Sequence, residues 1–146
     1  VSVVHGSSML PNFDTNDRLV VDKLSYRLGG VDRFDVIVFE AVVYEKDTGR
    51  HVRKDFIKRV IGLPGEVLEI RKGRIFLDGK PLDEKYRTCG SCDDGVWKIP
   101  EGRYFVLGDN RSVSNDSRRY IGLVSTSQIK GKVRLRFWPW EKRAWF

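Results

Sequence analysis

The sequence predicts an all-β protein of antiparallel strands, in which a small β lobe is inserted into a larger core. Segments rich in β-branched and aromatic residues recur along the chain, and Gly, Pro, Asp or Asn bounds them. Helix signals are scarce, and Lys72-Gly73 and Asp78-Gly79 have the composition of tight hairpin turns. The predicted strands are 18–22, 35–40, 56–61, 66–70, 74–77, 103–107 and 131–137.

The inserted lobe is predicted from a change in composition along the chain. The stretch 67–100 holds both cysteines, several glycines and the sequence Asp93-Asp94-Gly95. We therefore expect a core of residues 1–66 and 101–146 and a small lobe of residues 67–100. One short helix is expected at 125–129, where serine and threonine supply capping side chains.

Charge and length limit the kinds of partner. The 146 residues include 27 basic and 20 acidic side chains, a net charge of +7 that favours an anionic partner such as nucleic acid or an anionic membrane surface. Because the basic residues are scattered, we favour solubility or membrane proximity. No apolar run reaches the roughly 20 residues that cross a bilayer, and no signal peptide is recognisable. The start at Val1 rather than Met predicts a missing upstream part, which leaves room for a membrane anchor.

The two cysteines, Cys89 and Cys92, occur as Cys-Gly-Ser-Cys. A zinc site normally has four ligands, and His5 and His51 are the only histidines, so no metal is expected. A redox motif would precede a helix, and none is evident there. A local disulfide is favoured, which implies an oxidising compartment, and two free thiols are the alternative.

Ser8 is the first candidate for chemistry. It lies in Gly6-Ser7-Ser8-Met9-Leu10-Pro11, where glycine permits close backbone approach and proline favours a turn. Met9 is expected to form an apolar wall beside the hydroxyl. A serine nucleophile needs a neighbouring base, and the alternative is a serine that only caps a turn.

Lys58 is the candidate base. It lies between Phe56-Ile57 and Val60-Ile61, and strand alternation places Phe56, Lys58 and Val60 on one face. Burial on an apolar face lowers the pKa of a lysine, which lets it act as a general base near neutral pH. The alternative is a lysine whose amine reaches solvent at the sheet edge.

A third polar segment, 108–118, follows an apolar strand. Gly108 begins a tight turn, Ser114 is expected to hydrogen-bond the Lys58 amine, and Asp116 and Arg118 are expected to form an ion pair. An ordinary polar loop is the alternative. His5 lies three residues before Ser8, but the sequence offers no obvious acid to orient it, so a Ser-His mechanism is disfavoured.

The aromatic tail 137–146 has two interpretations. It holds three tryptophans with basic neighbours, which is typical of a membrane interface, but core packing with an irregular end explains the same residues.

Taken together, the three motifs resemble those of type I signal peptidases. Gly6 through Pro11 is similar to the serine box, residues 58–66 to the lysine box and residues 108–118 to the Gly-Asp-Asn-Arg box, while Gly131-Lys132-Val133 and Phe137-Trp138-Pro139 resemble the segment beyond. The motifs occur in family order and span most of the chain, apart from the cysteine loop and the extreme tail.

The resemblance implies a membrane-bound endopeptidase that removes signal peptides from exported preproteins. Ser8 is the implied nucleophile, Lys58 the base and Ser114 the residue that orients it, with the Ser8 N–H holding the oxyanion. One branch of the family adds a serine hydroxyl two positions before the nucleophile. Gly6 stands there in this chain, which is similar to the Gram-positive branch.

The resemblance also implies how substrate binds and where the protein works. The pocket for small residues at −1 and −3 is expected to involve Val4, Gly6, Met9, Phe13, Phe56 and Ile57. No cofactor or metal is expected. The implied partners are preprotein signal peptides and a membrane surface met through an apolar aromatic face, but not nucleic acid. The implied location is the extracytoplasmic side of the cell membrane.

Two rival interpretations explain less of the sequence. Self-cleaving Ser-Lys repressors carry a DNA-binding domain and a cleavage site before the serine, but only seven residues precede Ser8 here. A non-catalytic β-barrel that binds nucleic acid accounts for the charge of +7 but not for three motifs in order.

Overall fold

The structure is a computed structural model that describes residues 1–85 and 94–146, and its strands form two antiparallel sheets. The predicted all-β class is confirmed. The strands in chain order are β1 (Ser2–Val3), β2 (Arg18–Asp22), β3 (Val36–Glu45), β4 (Arg50–Gly62), β5 (Val67–Arg71), β6 (Arg74–Leu77), β7 (Lys80–Pro81), β8 (Gly95–Lys98), β9 (Arg103–Leu107), β10 (Val124–Ser125), β11 (Ile129–Trp138) and β12 (Ala144–Trp145).

The larger sheet carries the residues of interest. Its order is β1-β2-β11-β3-β4-β9-β10, and β12 also pairs with β11. The smaller sheet has the order β7-β6-β5-β8. Its strands lie within the range that the sequence assigns to the lobe, and the division into core and lobe stays a prediction. Cys89 and Cys92 lie outside the described residues, so the expected disulfide also stays a prediction.

The β3–β4 hairpin is longer than predicted. Ten residue pairs join the two strands, from Val36 opposite Arg59 to Glu45 opposite Arg50. The outer part of β4 is mostly charged and lacks the alternation of a half-buried strand. Backbone hydrogen bonds hold such a ribbon together when both of its faces meet solvent, which is why the hydrophobic pattern missed it.

The turns and helices only partly follow the sequence. Both predicted hairpin turns are present, with positive φ at Lys72 and Gly73 and at Asp78 and Gly79, as a type I′ turn requires. A six-residue helix, α1 (Leu24–Gly29), was not predicted. The helix expected at 125–129 is a single 3₁₀ turn (Thr126–Gln128), closed by a capping box between Ser125 and Gln128, and a second 3₁₀ turn is Trp140–Lys142.

Apolar side chains join the two sheets. Ile61, Phe105 and Leu107 of the larger sheet share one buried cluster with the smaller sheet's Leu68, Ile70, Ile75 and Leu77. Gly62 lies at this junction, where an added Cβ would come within 2.3 Å of Ile99. The smaller sheet is therefore packed directly onto the strands that lead to Lys58 and to the 108–118 segment.

No helix in the described part of the chain is long and apolar enough to cross a bilayer.

Candidate active site

Ser8 and Lys58 meet in space although 50 residues separate them in sequence. Lys58 Nζ lies 2.6 Å from Ser8 Oγ, within hydrogen-bond distance. Ser8 is half-buried, while Lys58 is only 4% exposed. The hydroxyl is therefore reachable and the amine is sheltered, as a serine nucleophile with a lysine base requires.

Burial on β4 sets the chemistry of Lys58. The residue faces Ile37 of β3, and Nζ lies 5.9 Å from the ring of Phe56. Desolvation lowers the pKa of Lys58 from 10.5 to about 8, although the negative charges of Asp116 and Asp109 oppose part of this effect by raising it. A useful fraction of the amine is thus neutral at mildly alkaline pH and can accept the Ser8 proton.

The loop between β1 and β2 carries Ser8, and its own backbone closes it. Val4 N–H donates to Asp17 O at 2.9 Å, and Asn16 N–H donates back to Val4 O at the same distance. Met9 and Phe13 are fully buried beneath the loop in a cluster with Val4 and Leu19. These apolar side chains anchor the loop while Ser8 stays at the surface.

Asn110 fixes the backbone of the nucleophile. Its N–H donates to Ser8 O at 2.9 Å, and its side-chain amide donates to Ser7 O at 3.1 Å. Glycine is required two residues earlier, because a Cβ on Gly108 would come within 2.6 Å of Ser8 O and even closer to Ser114. The segment 108–118 can therefore approach the serine loop only through glycine.

A buried ion pair joins the neighbour of Lys58 to the serine loop. Arg59 donates to both carboxylate oxygens of Asp109, at 3.0 and 2.9 Å. The amide of Asn12, four residues after Ser8, donates to Asp109 at 2.9 Å. Asp109 thereby connects the two elements that carry Ser8 and Lys58.

The predicted ion pair between Asp116 and Arg118 is present and buried, with Nε 2.8 Å from the carboxylate. Asp116 also accepts from the N–H of Gly108 at 3.1 Å, and Arg118 donates to Arg111 O at 2.8 Å. The ion pair thus stabilises segment 108–118 through contacts with its own backbone.

The predicted hydrogen bond from Ser114 to Lys58 is wrong for this structure. The Ser114 hydroxyl is buried but has no hydrogen-bond partner among the described residues. The backbone N–H of Ser114 donates to Asn110 O, which packs the side chain toward Gly108 rather than onto the amine.

A cavity of about 630 Å³ opens beside Ser8 and Lys58. Four of the six predicted substrate-binding residues line it: Val4, Gly6, Phe56 and Ile57. Met9 and Phe13 do not, because they are fully buried in the support of the loop. Apart from the dyad, ten more residues that line the cavity were not predicted to bind substrate, Leu19, Val38, Val113 and Asn115 among them. No spacing within the three motifs pointed to Leu19 or Val38, which reach the cavity through the sheet.

Two backbone edges face this cavity. β1 is an end strand of the larger sheet, and residues 50–58 of β4 pair with β3 on one side only, since pairing with β9 begins at Arg59. Ser2, Val3 and residues 54–58 all line the cavity. An extended peptide can therefore hydrogen-bond to either edge while its side chains enter the apolar pocket.

Neither histidine is placed to serve Ser8. His5 is exposed at the cavity margin, and no hydrogen bond joins it to Ser8 in the described structure. His51 is also exposed and contacts Tyr44, with ring centroids 5.3 Å apart and the rings tilted by 58°. Within residues 1–85 and 94–146, no group of three or more His, Cys, Asp or Glu side chains is arranged to hold a metal ion.

Comparison with known proteins places the same residues in one family. The profile of the family described as "Signal peptidase, peptidase S26" matches residues 1–138. A signal peptidase I of Leptolyngbya laminosa is 42% identical over 139 residues, covering 93% of this chain and 67% of that protein. A signal peptidase I of Bacillus caldolyticus is 39% identical over 157 residues, covering 97% of this chain and 81% of that protein.

A solved structure supports the fold. The crystal structure of a signal peptidase I from Enterococcus faecalis V583 superposes with a TM-score of 0.53 at 34% identity, covering 70% of this chain and 95% of that one.

Proposed function

This chain belongs to the signal peptidase family, peptidase S26, and we propose that Ser8 and Lys58 are the catalytic dyad of its signal-peptide cleavage. It is a serine endopeptidase whose substrates are preproteins with signal peptides. The observation that carries the proposed dyad is the distance of 2.6 Å between Ser8 Oγ and the buried Lys58 Nζ.

The proposed mechanism uses the amine twice. Neutral Lys58 takes the hydroxyl proton as Ser8 Oγ bonds to the scissile carbonyl carbon, which gives a tetrahedral oxyanion. When the carbon–nitrogen bond breaks, the Lys58 ammonium gives that proton to the departing amine, and an acyl-enzyme remains. Lys58 then takes a proton from a water molecule as the water attacks the ester of the acyl-enzyme. It gives this proton to Ser8 Oγ when the bond between Oγ and the acyl carbon breaks.

The oxyanion site has one proposed donor at the nucleophile itself. The N–H of Ser8 is expected to donate to the developing oxyanion, and Gly6 supplies no hydroxyl for a second bond. Asn110 contributes indirectly, because its hydrogen bond to Ser8 O fixes the orientation of the adjoining peptide unit. Ser114 is not proposed to orient Lys58, and its buried side chain packs beside Gly108 instead.

The cavity supports selection of small residues before the cleaved bond. Its apolar side chains, including Val4, Ile57 and Leu19, line the space beside Ser8, and a substrate strand bound at residues 54–58 would point alternate side chains into it. Alternate positions on one strand correspond to −1 and −3. We therefore propose alanine-type residues at both positions.

Cleavage of paired preproteins tests this proposal. The chain should cut a preprotein with Ala at −3 and −1, and Leu at −1 should lower kcat/KM by about 10- to 100-fold, because a side chain too large for its pocket costs about 1–3 kcal/mol. Ser8→Ala should not cut either substrate, while His5→Ala should cut the first at nearly the wild-type rate. Retained cleavage by Ser8→Ala, or loss of it in His5→Ala alone, would exclude the dyad.

The aromatic tail supports a membrane-facing surface, which we also propose. Trp138, Trp140 and Trp145 are 51%, 61% and 78% exposed, although Trp138 and Trp145 are the last residues of the paired strands β11 and β12. Cations accompany the rings, with Arg143 4.3 Å from the Trp140 ring and Arg18 5.9 Å from the Trp138 ring. Exposed tryptophan beside arginine suits the boundary between lipid and water.

The position of this surface fits substrates that are held in a membrane. β11 pairs with β2, and β2 pairs with β1, whose residues line the cavity. The aromatic surface and the cavity therefore belong to neighbouring strands. We propose that the protein works at the extracytoplasmic side of the cell membrane, with nucleic acid not among its partners.

Vesicle binding tests the aromatic surface. The double variant Trp140→Ala/Trp145→Ala should bind vesicles of anionic phospholipid at least about 30-fold more weakly than wild type, because each of the two buried indoles contributes roughly 1–2 kcal/mol at the interface. Tyr120→Ala is the control, since this equally exposed aromatic residue lies outside the tail. Co-sedimentation gives the affinity, and equal binding by wild type and the double variant would remove the proposal.

A further inference from the structure

One guanidinium fastens the aromatic tail to the loop that carries Ser8. Arg136 projects from β11, and its Nη1 donates to Asn12 O while its Nε donates to Lys142 O at 2.6 Å. The same Nη1 lies 3.3 Å from Asp17, at the end of the serine loop. Arg136 therefore connects Asn12 and Asp17 of the serine loop to the 3₁₀ turn Trp140–Lys142.

Aromatic packing closes the same contact. The guanidinium lies 5.6 Å from the ring of Phe13 and 5.7 Å from the ring of Phe146. The two rings are 4.8 Å apart, and Phe146 N–H donates to Arg134 O at 2.8 Å. The tail is thus held against a residue of the serine loop by ring contacts as well as by hydrogen bonds.

Asn12 connects Arg136 to the residues that surround the dyad. Its carbonyl accepts from Arg136, and its side-chain amide donates to Asp109 at 2.9 Å. Asp109 in turn pairs with Arg59, the residue after Lys58. A shift of Asn12 would therefore move the serine loop relative to the strand that carries the base.

We propose that Arg136 is a positioning residue for the nucleophile, which it holds through Asn12 and the Phe13–Phe146 contact. This inference rests on the proposed function, since it concerns what holds the proposed dyad in register. The arginine fork is needed because three acceptors, Asn12 O, Lys142 O and Asp17, surround one side chain. A lysine would keep the charge opposite Asp17 but could not reach all three acceptors.

The test compares Arg136→Lys with Arg134→Lys in the full 146-residue chain. Arg134 lies on the same strand but pairs at 3.6 Å with Asp22, away from the serine loop. For Arg136→Lys we expect kcat to fall about tenfold with KM nearly unchanged, because misplacement of a catalytic group acts on the chemical step. Arg134→Lys should stay within about twofold of wild type. Circular dichroism gives the folded fraction by which each kcat is normalised.

Two further variants keep the test decisive. Asn12→Ala should lower kcat like Arg136→Lys, and the double variant should be no worse than the more damaged single variant, because both act through one loop. If Arg136→Lys fails to fold, Phe146→Ala replaces it, and about a threefold loss of kcat is expected from loosening the same contact.

Three results would overturn the inference: normalised kcat of Arg136→Lys equal to that of Arg134→Lys, additive losses in the double variant, or wild-type kcat in Phe146→Ala. Ser8→Ala separates the two proposals. If Ser8→Ala is inactive and Arg136→Lys is fully active, only the positioning role fails, whereas an active Ser8→Ala removes the dyad itself.

Discussion

Replacing Lys58 with methionine is expected to abolish cleavage and to stabilise the fold at neutral pH. The amine is the only group within hydrogen-bond distance of Ser8 Oγ in the described structure, so its removal leaves the hydroxyl without a base. We expect kcat to fall by about 10⁴-fold or more, as when a nucleophile loses its proton acceptor. Cleavage of an Ala-X-Ala preprotein measures this loss.

The gain in stability follows from the cost of burying the amine. A pKa of about 8 in place of 10.5 corresponds to about 3 kcal/mol against the folded state at neutral pH. Loss of the hydrogen bond to Ser8 offsets about 1 kcal/mol, so a net gain of about 2 kcal/mol is expected from urea unfolding at pH 7.

The gain should depend on pH with a definite sign. Because the folded pKa is the lower one, the unfolded chain binds more protons between pH 8 and 10.5. Wild-type stability therefore rises with pH through this window, and the advantage of Lys58→Met disappears toward its upper end. A stability difference that does not change between these pH values would contradict the burial account.

Lys132→Met is the matched control for Lys58→Met. Lys132 is a second buried lysine of the larger sheet, but it pairs with Asp35 at 3.1 Å. Its replacement should lower stability, because Asp35 loses its opposing charge, and should leave kcat near the wild-type value. The two variants thus change stability in opposite directions, and only Lys58→Met lowers kcat, which a general effect of removing a buried lysine cannot produce.

Asp109→Asn is expected to cause the largest loss of stability. Arg59 and Asp109 are 5% and 0% exposed, and two hydrogen bonds join them. Removing the carboxylate leaves the buried guanidinium without its opposing charge, which costs about 3–5 kcal/mol. Urea unfolding measures the loss. Glu66→Gln is the control, because its two-pronged pair with Arg33 is more exposed, at 26% for Arg33 and 18% for Glu66, and should cost less.

Asp109→Asn should also change the pH dependence of cleavage. The negative charge of Asp109 raises the pKa of Lys58, so its neutralisation lowers that pKa further below its ordinary value. The acid limb of the rate profile should therefore move to lower pH in the folded fraction. An acid limb that moves to higher pH would contradict the electrostatic arrangement described for the site.

The sequence predicted the catalytic residues better than it predicted the contacts that hold them in place. Ser8 and Lys58 could be paired because each lies in a distinctive motif, and the apolar neighbours of Lys58 indicated its burial. Strand alternation also predicted that Phe56 and Val60 share one face, and in the structure Phe56 packs against the buried cluster that contains Val60. These features depend on residues that are neighbours in sequence, so the sequence pattern is enough to predict them.

The contacts that hold the dyad in place could not be predicted, because they join distant parts of the chain. Arg136 contacts Asn12 across 124 residues, and Asn110 contacts Ser7 across 103. The family resemblance implied that Met9 and Phe13 belong to the pocket, yet the loop turns both side chains into the core. The alternation in segment 108–118 and the family resemblance both predict that Ser114 reaches Lys58, but its backbone bonds to Asn110 and its hydroxyl has no partner among the described residues.

A direct titration of the Lys58 side chain tests the central claim most directly. Carbon-13 NMR of labelled lysine across pH 6–11, with Lys58→Met to assign the signal, gives the pKa of this one amine. The buried dyad predicts a midpoint near pH 8, well below that of the other lysines. A midpoint near 10.5 would mean that the amine stays charged at the pH of cleavage, and Lys58 could not be the base.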